Sequence, residues 1–227
     1  MNTLCTKFLV LCMLVISISG SAQDQFEVFN ENAFAVRHGF SKAYSVNFEL
    51  SSRAYVYTQD AVSFVTRQVQ IGHFSTLKLN LKNSVALGIM YRNRELFEDS
   101  SNEVRLTQQF NRRSIFKTLR FGHRLRSEQR FYDDFTTFRF RYRLALDLPL
   151  QGLKLDVGET YIVVSNEALL TNSKVFKPEL EYRVTPSLGI LLSKDLIFEF
   201  GFELRLDKLN IEMEESLFVS TSLQLRI

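Results

Sequence analysis

The sequence predicts an all-β fold, an up-and-down antiparallel transmembrane β-barrel of about ten strands with short periplasmic turns and longer outer loops. Apolar and polar residues alternate with period two over most of the chain, which is the pattern of strands that present different faces to different surroundings. Several alternating segments are about 12 to 18 residues long. Soluble strands are usually about five or six residues long, and a tilted strand crosses a bilayer in about 9–11.

The N-terminus has the pattern of a cleaved secretory signal over residues 1–22. Lys7 supplies a positive charge, Phe8 to Ile18 form an apolar run, and the small residues 19–22 precede Gln23. The run is too short for a transmembrane helix. We expect residues 23–42 to be an N-terminal periplasmic lead-in and residues 43–227 to form the barrel, in the outer membrane of a Gram-negative bacterium.

Both cysteines, Cys5 and Cys12, lie inside this predicted signal. The mature chain would therefore have no disulfide and would depend on packing and backbone pairing.

Composition excludes several classes of protein. The 227 residues are 45% hydrophobic with a net charge of +3, which excludes collagen-like and disordered chains. The 28 basic residues face 25 acidic ones without a basic tract, so no nucleic-acid partner is expected. No His or Cys spacing indicates a metal site, and no cofactor is expected.

Ten strands account for the alternation. Phe138, Phe140 and Tyr142 share one parity, whereas Arg139 and Arg141 share the other. The predicted strands span residues 43–57, 64–81, 84–95, 103–111, 117–131, 135–148, 154–167, 175–192, 196–207 and 214–227. We expect a bulge or break at Pro186, because proline cannot donate to the ladder.

The predicted connections alternate between tight turns and longer polar links, which places both chain termini at the turn end. The turns lie at 81–84, 111–114, 149–152 and 193–195, and the links at 58–63, 93–102, 132–135, 168–174 and 207–215.

Volume decides which face looks outward. Large apolar side chains occur on nearly every strand, and the narrow lumen of a ten-stranded barrel could not hold them all. Facing them toward acyl chains removes this conflict and makes outer-membrane lipid the expected partner. A secreted soluble β-barrel that binds a ligand is the alternative.

The charged face would then line the lumen. With a short link at 132–135, Arg126 falls opposite Arg141 and Arg124 opposite Arg143, so carboxylates from other strands, anions or water must separate them. The interior is interpreted either as packed by ion pairs or as a narrow anion-favouring channel or anionic-ligand pocket for a small anionic solute. The expected lumen network comprises Arg120, Arg124, Arg126, Glu128, Arg130, Arg139, Arg141, Arg143, Glu179, Glu181, Arg183, Glu199, Glu203 and Arg205. Nothing in the sequence indicates a protein partner.

We expect no enzymatic activity, although one alternative is a lipid esterase on the outer wall. His73 and Ser75 share the apolar parity, and an assumed register places Asn93 opposite His73, so that Ser, base and orienting amide would meet. A protease is disfavoured because His38, His73 and His123 lie away from the acidic links.

Three segments resemble a known family. The arginine-rich run Arg124–Phe131, the run Arg139–Leu144 with Asn166-Glu167, and Glu103–Leu106 with Gln108-Gln109 resemble the bacterial family catalogued as domain of unknown function 2490. The resemblance covers most of the mature chain and implies an outer-membrane β-barrel. It implies no catalytic or ligand-binding residue.

Overall fold

The computed structural model describes residues 26–58, 61–94, 102–152 and 154–227. These residues form strands β1 (Glu27–Gly39), β2 (Tyr44–Thr58), β3 (Ala61–Val62), β4 (Thr66–Lys78), β5 (Asn83–Arg94), β6 (Glu103–Phe116), β7 (Leu119–Phe131), β8 (Thr136–Pro149), β9 (Thr160–Ser173), β10 (Glu179–Leu191), β11 (Leu196–Asp207) and β12 (Glu214–Arg226). The predicted signal peptide lies outside the described residues. The described residues contain no helix that is long and apolar enough to cross a membrane.

Eleven of these strands close into a barrel. Each is antiparallel to its sequence neighbour in the wall, and β1 closes the ring by pairing with β2 on one side and, in parallel, with β12 on the other. The two-residue β3 pairs only with the tip of β2. An odd number of strands that alternate in direction forces one parallel pair, which here is β1 with β12.

The prediction of ten strands is wrong by one, because β1 was taken for a segment of the lead-in. Asn30 and Asn32 occupy the outward parity of β1, between Val28 and Phe34. These asparagines interrupt the apolar alternation that marks the other strands, so the segment gave no period-two signal. β1 forms because its backbone is paired on both sides.

The two ends of the barrel differ in their connections. We call the end with links 40–43, 79–82, 117–118, 150–159 and 192–195 the turn end, and the end with links 59–65, 95–102, 132–135, 174–178 and 208–213 the loop end. The C-terminus is at the turn end as predicted, but β1 starts at the loop end, so the prediction that both termini share one end is wrong. The ten-residue link 150–159 is also an exception at an end otherwise built from tight turns.

Register and strand bounds follow the sequence closely on β7 and β8. Arg124 pairs with Arg143 and Arg126 with Arg141, as predicted. β9 begins six residues later than predicted, since Gly158 has a left-handed backbone (φ 87) just before it. The alternation of residues 154–157 therefore belongs to a link.

Pro186 interrupts one ladder without shifting it. It pairs with Val164 of β9, whereas pairing with β11 lapses at Thr185 and Pro186 and resumes in the same register at Ser187. Gly201 of β11 lies opposite Ser187, and a Cβ added at Gly201 would come within 2.8 Å of the Ser187 Cβ. The expected break is present, but the strand does not bulge.

The barrel sorts its side chains by face. Phe138 and Phe140 on β8 are 47% and 55% exposed, whereas Glu128 and Arg130 on the neighbouring β7 are 0% and 5% exposed. The same division holds along most of the other strands, with charged and small side chains inside and large apolar ones outside. Phe29, Leu169 and Phe218 are buried exceptions. The interior of this molecule is therefore mainly ionic, and most of its large apolar side chains lie on the outer wall.

Candidate functional site

Two buried glutamates organise the interior between β5 and β8. Glu103 at the start of β6 lies within ion-pair distance of Arg92, Arg94, Arg105 and Arg130, and its side chain is 1% exposed. Inward residues of one strand and its neighbours converge because they share a parity and lie at adjacent heights. One carboxylate thus serves four guanidinium groups.

Glu128 on β7 has the same role at a deeper level of the barrel. It is paired with Arg105, Arg126, Arg130 and Arg141, at distances from 3.0 Å (Arg141) to 3.7 Å (Arg105). Arg126 also donates to the Gln109 side-chain oxygen at 2.8 Å. Burial of these charges is tolerated because each is paired and hydrogen-bonded.

Glu167 on β9 binds one arginine from each of the two pairs that face each other across β7 and β8. Its two carboxylate oxygens accept from Arg124 at 3.0 Å and from Arg141 at 2.5 Å. Arg141 bridges Glu128 and Glu167. The Arg126–Arg141 pair is therefore bridged by Glu128 of β7 itself, with Glu167 of β9 as a second partner of Arg141. In the other pair only Arg124 has a carboxylate partner among the described residues. We call these residues the Glu103 network: Glu103, Glu128, Glu167, Arg92, Arg94, Arg105, Arg124, Arg126, Arg130 and Arg141.

A second chain of ion pairs lines the opposite side, on β1, β2, β8, β10 and β11. Glu181 accepts from Arg139 at 2.6 Å and from Arg183 at 2.7 Å. We call its members the Glu181 network: Arg53, Glu31, Arg205, Glu203, Arg183, Glu181 and Arg139, joined in that order.

The two networks differ in charge. Counted over the described residues, the Glu103 network has seven arginines and three glutamates, an excess of four cations. The Glu181 network has four arginines and three glutamates, an excess of one. Confined cations without matching carboxylates attract anions.

A cavity of about 500 Å³ opens between the networks at the loop end. Its arginines come from both networks, and Arg67 and Lys208 add two further cations. Acidic residues also line it: Glu27, Glu179, Glu181, Asp207, Glu214 and Glu215. Lys208 donates to Glu214, and this hydrogen bond raises the pKa of Lys208.

Arg67 enters the cavity because of a β-bulge. The β2–β4 register shifts between Arg53 and Ala54, and Arg67 is the unpaired residue on β4. Its guanidinium lies 5.1 Å from the Phe29 ring centroid and 5.3 Å from that of Tyr55. Bulges commonly re-aim a side chain in this way. Among the described residues Arg67 has aromatic neighbours and no carboxylate partner, so its charge is available to a ligand.

Four of the residues expected in the lumen network lie outside both networks. Arg120 pairs with Asp147 near the turn end, and Glu199 accepts from the Tyr161 hydroxyl. Glu179 lines the cavity. Arg143 makes no ion pair with a described residue, and its Nε has no hydrogen-bond partner. The other ten expected residues, from Arg124 to Arg205, belong to the two networks.

Sequence reasoning missed seven members of the networks. Glu31 and Arg53 depend on β1, which was not predicted as a strand. Glu103, Arg105 and Glu167 were noted only for the family resemblance. Parity alone could have placed Arg92, Glu103 and Arg105 inside, because each is next to an outward apolar residue, Tyr91 or Val104. Arg94 lies between polar residues in the sequence and gives no such signal.

Of the two contacts that the esterase alternative requires, His73 with Ser75 is present and Asn93 with His73 is not. His73 Nε2 lies 3.0 Å from Ser75 Oγ, but the register places Ile89 opposite His73 and Val69 opposite Asn93. Asn93 instead donates to Asn102. The assumed register was wrong because it placed the turn too late in the chain: β5 begins at Asn83 and the turn is 79–82. His73 Nδ1 has no hydrogen-bond partner among the described residues.

No cluster of three or more His, Cys, Asp or Glu side chains with metal-site geometry occurs in the portion of the chain that the structure describes.

A family model described as "Protein of unknown function (DUF2490)" matches residues 32–210. The chain belongs to this family. No curated protein matches it.

Among solved structures, the siderophore receptor PirA from Pseudomonas aeruginosa is similar at 12% sequence identity and a TM-score of 0.32. The match covers 78% of this chain and 33% of the receptor chain, so this chain spans about a third of that protein's length.

Proposed function

We propose that this protein is a non-enzymatic β-barrel of the outer membrane of a Gram-negative bacterium, and that its loop-end cavity binds a small anionic solute. The observation that carries the ligand proposal is the excess of four cations in the Glu103 network beside a cavity of about 500 Å³. The membrane proposal is supported by the outer wall.

Large apolar side chains cover that wall. Phe48, Leu87, Leu125 and Phe140 are each more than half exposed, on β2, β5, β7 and β8. An apolar surface that runs from strand to strand exceeds what soluble monomers expose, and marks contact with a membrane or another protein. Hydrocarbon is the surrounding that an encircling apolar band fits.

The polar side chains on the wall are paired with one another. Gln108 and Gln129 exchange hydrogen bonds at 2.9 and 3.1 Å, and the Tyr182 hydroxyl donates to Asn166 at 2.8 Å. Water would satisfy such groups on a soluble protein, whereas hydrocarbon would leave them unpaired at a cost. His73 with Ser75 fits this pattern, which gives their contact a role without catalysis.

We favour a pocket over an open channel because the three carboxylates of the Glu103 network are nearly closed to solvent, at 7% exposure or less. Glu128 is fully buried, and Arg141 binds a carboxylate on each neighbouring strand, with an 11% exposed side chain. Guanidinium groups suit phosphate and carboxylate ligands because they bind two oxygens at once.

Binding of pyrophosphate and citrate to the detergent-solubilised protein, followed by isothermal calorimetry, tests the pocket. We expect saturable binding that weakens at least tenfold in Arg67→Gln. Because Arg67 has no carboxylate partner among the described residues, this substitution leaves no buried carboxylate unpaired, and the loss reports on the ligand. Arg226→Gln, at the turn end, is the control and should bind as the parent does. Absence of saturable binding, or equal affinity in Arg67→Gln and Arg226→Gln, would overturn the proposal.

Two further measurements address the membrane and non-enzymatic proposals. Incorporation into phosphatidylcholine vesicles that survives a urea wash supports a membrane-spanning barrel, and complete extraction by urea contradicts it.

A non-enzymatic barrel should hydrolyse no phospholipid, with or without calcium. Hydrolysis that disappears in Ser75→Ala would instead establish the esterase alternative.

A further inference from the structure

Three segments of the chain contain no Asp or Glu at all. Residues 37–48, 74–94 and 104–127 are free of acids, and each includes a complete hairpin of the turn end, with links 40–43, 79–82 and 117–118. The other two links of this end carry both signs: Lys154 with Asp156 and Glu159, and Lys194 with Asp195. The turn end is therefore divided into a basic region and a mixed region.

The three hairpins are neighbours in the barrel. They join β1 to β2, β4 to β5 and β6 to β7, which follow one another in the sheet. Their tips are thus about 10 Å apart, two strand spacings each. We call the exposed cations at these hairpins the basic hairpin face: Lys42, Lys78, Lys82, Arg112, Arg113 and Lys117.

None of these six cations forms an ion pair with a residue in the described ranges. This distinguishes them from the interior arginines, nearly all of which share a carboxylate. Their charge faces solvent and adds over neighbouring tips, and such a surface attracts anions.

Large apolar residues accompany the cations. Leu81 is fully exposed, and Phe40, Ile115 and Phe116 are 65%, 73% and 64% exposed. Aromatic and aliphatic side chains beside cations are typical of the membrane interface, where the apolar groups meet acyl chains and the charge meets headgroups.

The β6–β7 hairpin extends beyond the end of the neighbouring strand β5. Pairing of β6 with β5 ends at Arg112, opposite Asn83, but the hairpin continues to Phe116 opposite Leu119. These four residues extend about 13 Å along the strand. Lys117 at the tip has a left-handed backbone (φ 56), a conformation that glycine adopts at lower cost.

We propose that the basic hairpin face binds the headgroups of anionic glycerophospholipids in the leaflet that surrounds the turn end. This rests on the proposed membrane-spanning fold. The Lys and Arg side chains would contact lipid phosphates, while Leu81 and Phe116 lie among the upper acyl chains. Anionic lipid attracts each nearby cation enough that losing one weakens binding about fivefold.

The test measures which lipid the purified protein retains. The protein is exchanged into micelles that contain equal amounts of phosphatidylglycerol and phosphatidylcholine with identical chains, and bound lipid is quantified by mass spectrometry. We expect a preference for phosphatidylglycerol that falls tenfold or more in Lys82→Gln/Lys117→Gln. The matched control, Lys154→Gln/Lys194→Gln, loses the same charge from the same end and should keep the preference.

Lys117→Gly provides a second variant that the fold accommodates, since glycine suits the left-handed position. It should retain the thermal midpoint and lose about fivefold in preference. Equal losses in both double variants, or no preference in the parent protein, would overturn the proposal. If the parent enters phosphatidylcholine vesicles and yet shows no headgroup preference, this inference fails while the membrane-spanning fold stands.

Discussion

The inner and outer faces of β8 have opposite chemical character. Arg139 and Arg141 point inward to buried glutamates, while Phe138 and Phe140, their sequence neighbours, are about half exposed on the wall. A soluble barrel has the opposite arrangement. This chain therefore satisfies most of its charges within a closed sheet and turns most of its large apolar side chains outward.

The largest expected effect comes from removing a shared carboxylate on the inner face. Glu128→Gln leaves four arginines without their common partner, and we expect a loss of about 3–5 kcal/mol in unfolding free energy. Urea unfolding in detergent measures it. Glu214→Gln at the loop end, where the side chain is 47% exposed, should cost less than about 1 kcal/mol. Equal shifts would mean that the inner face is not an ionic core.

The outer face is tested by a charge placed on the wall. Phe140→Arg should cost about 2–4 kcal/mol in a bilayer, as for charges on the lipid face of membrane barrels. Phe176 is 54% exposed, nearly the same as Phe140 at 55%, but lies in the link 174–178. Phe176→Arg should change the unfolding free energy little. A neutral Phe140→Arg would identify water as the medium around the wall.

Removing one arginine should cost less than removing a glutamate. Arg141→Ala loses two charge-assisted hydrogen bonds, but Glu128 and Glu167 keep other arginines. We therefore expect a loss close to that of one such bond, about 1.5–3 kcal/mol. Lys194→Ala, in an exposed turn, should be neutral. Thermal midpoints of the two variants provide the comparison, and coincident values would contradict the charged interior.

The smallest effect concerns the paired polar groups of the wall. Gln108→Leu strands the Gln129 amide and should cost about 1 kcal/mol, whereas Gln108→Leu/Gln129→Leu should recover that loss. Unfolding in lipid vesicles gives both values. If the double variant is less stable than the single one, the wall does not face hydrocarbon.

Strand positions were largely predictable because strong period-two alternation needs no knowledge of partners. The same alternation predicted the β7–β8 register, since the link 132–135 is short. β1 could not be predicted, because Asn30 and Asn32 occupy outward positions and only closure of the ring explains its pairing. The position of the turn before β5 was also predicted wrongly, because Lys82 and Asn83 suit either a turn or a strand.

The interior site was predictable in kind but not in its connections. Parity placed Arg139, Arg141 and Glu128 on the charged face. Which carboxylate pairs with which guanidinium, however, depends on the registers of several neighbouring strand pairs, and an error in any one of them changes the partners. Arg67 lies beyond such reasoning, since a bulge reverses its parity. No pattern in the sequence marks that bulge.

Site-directed spin labelling of Phe140→Cys and Arg141→Cys in lipid vesicles shows which face of β8 meets hydrocarbon. The predicted mature chain has no other cysteine. We expect a label at position 140 to be accessible to oxygen, which concentrates in hydrocarbon, and a label at position 141 to be shielded. A label at 140 shielded within the protein, with one at 141 open to a water-soluble nickel complex on the outer wall, would contradict this expectation.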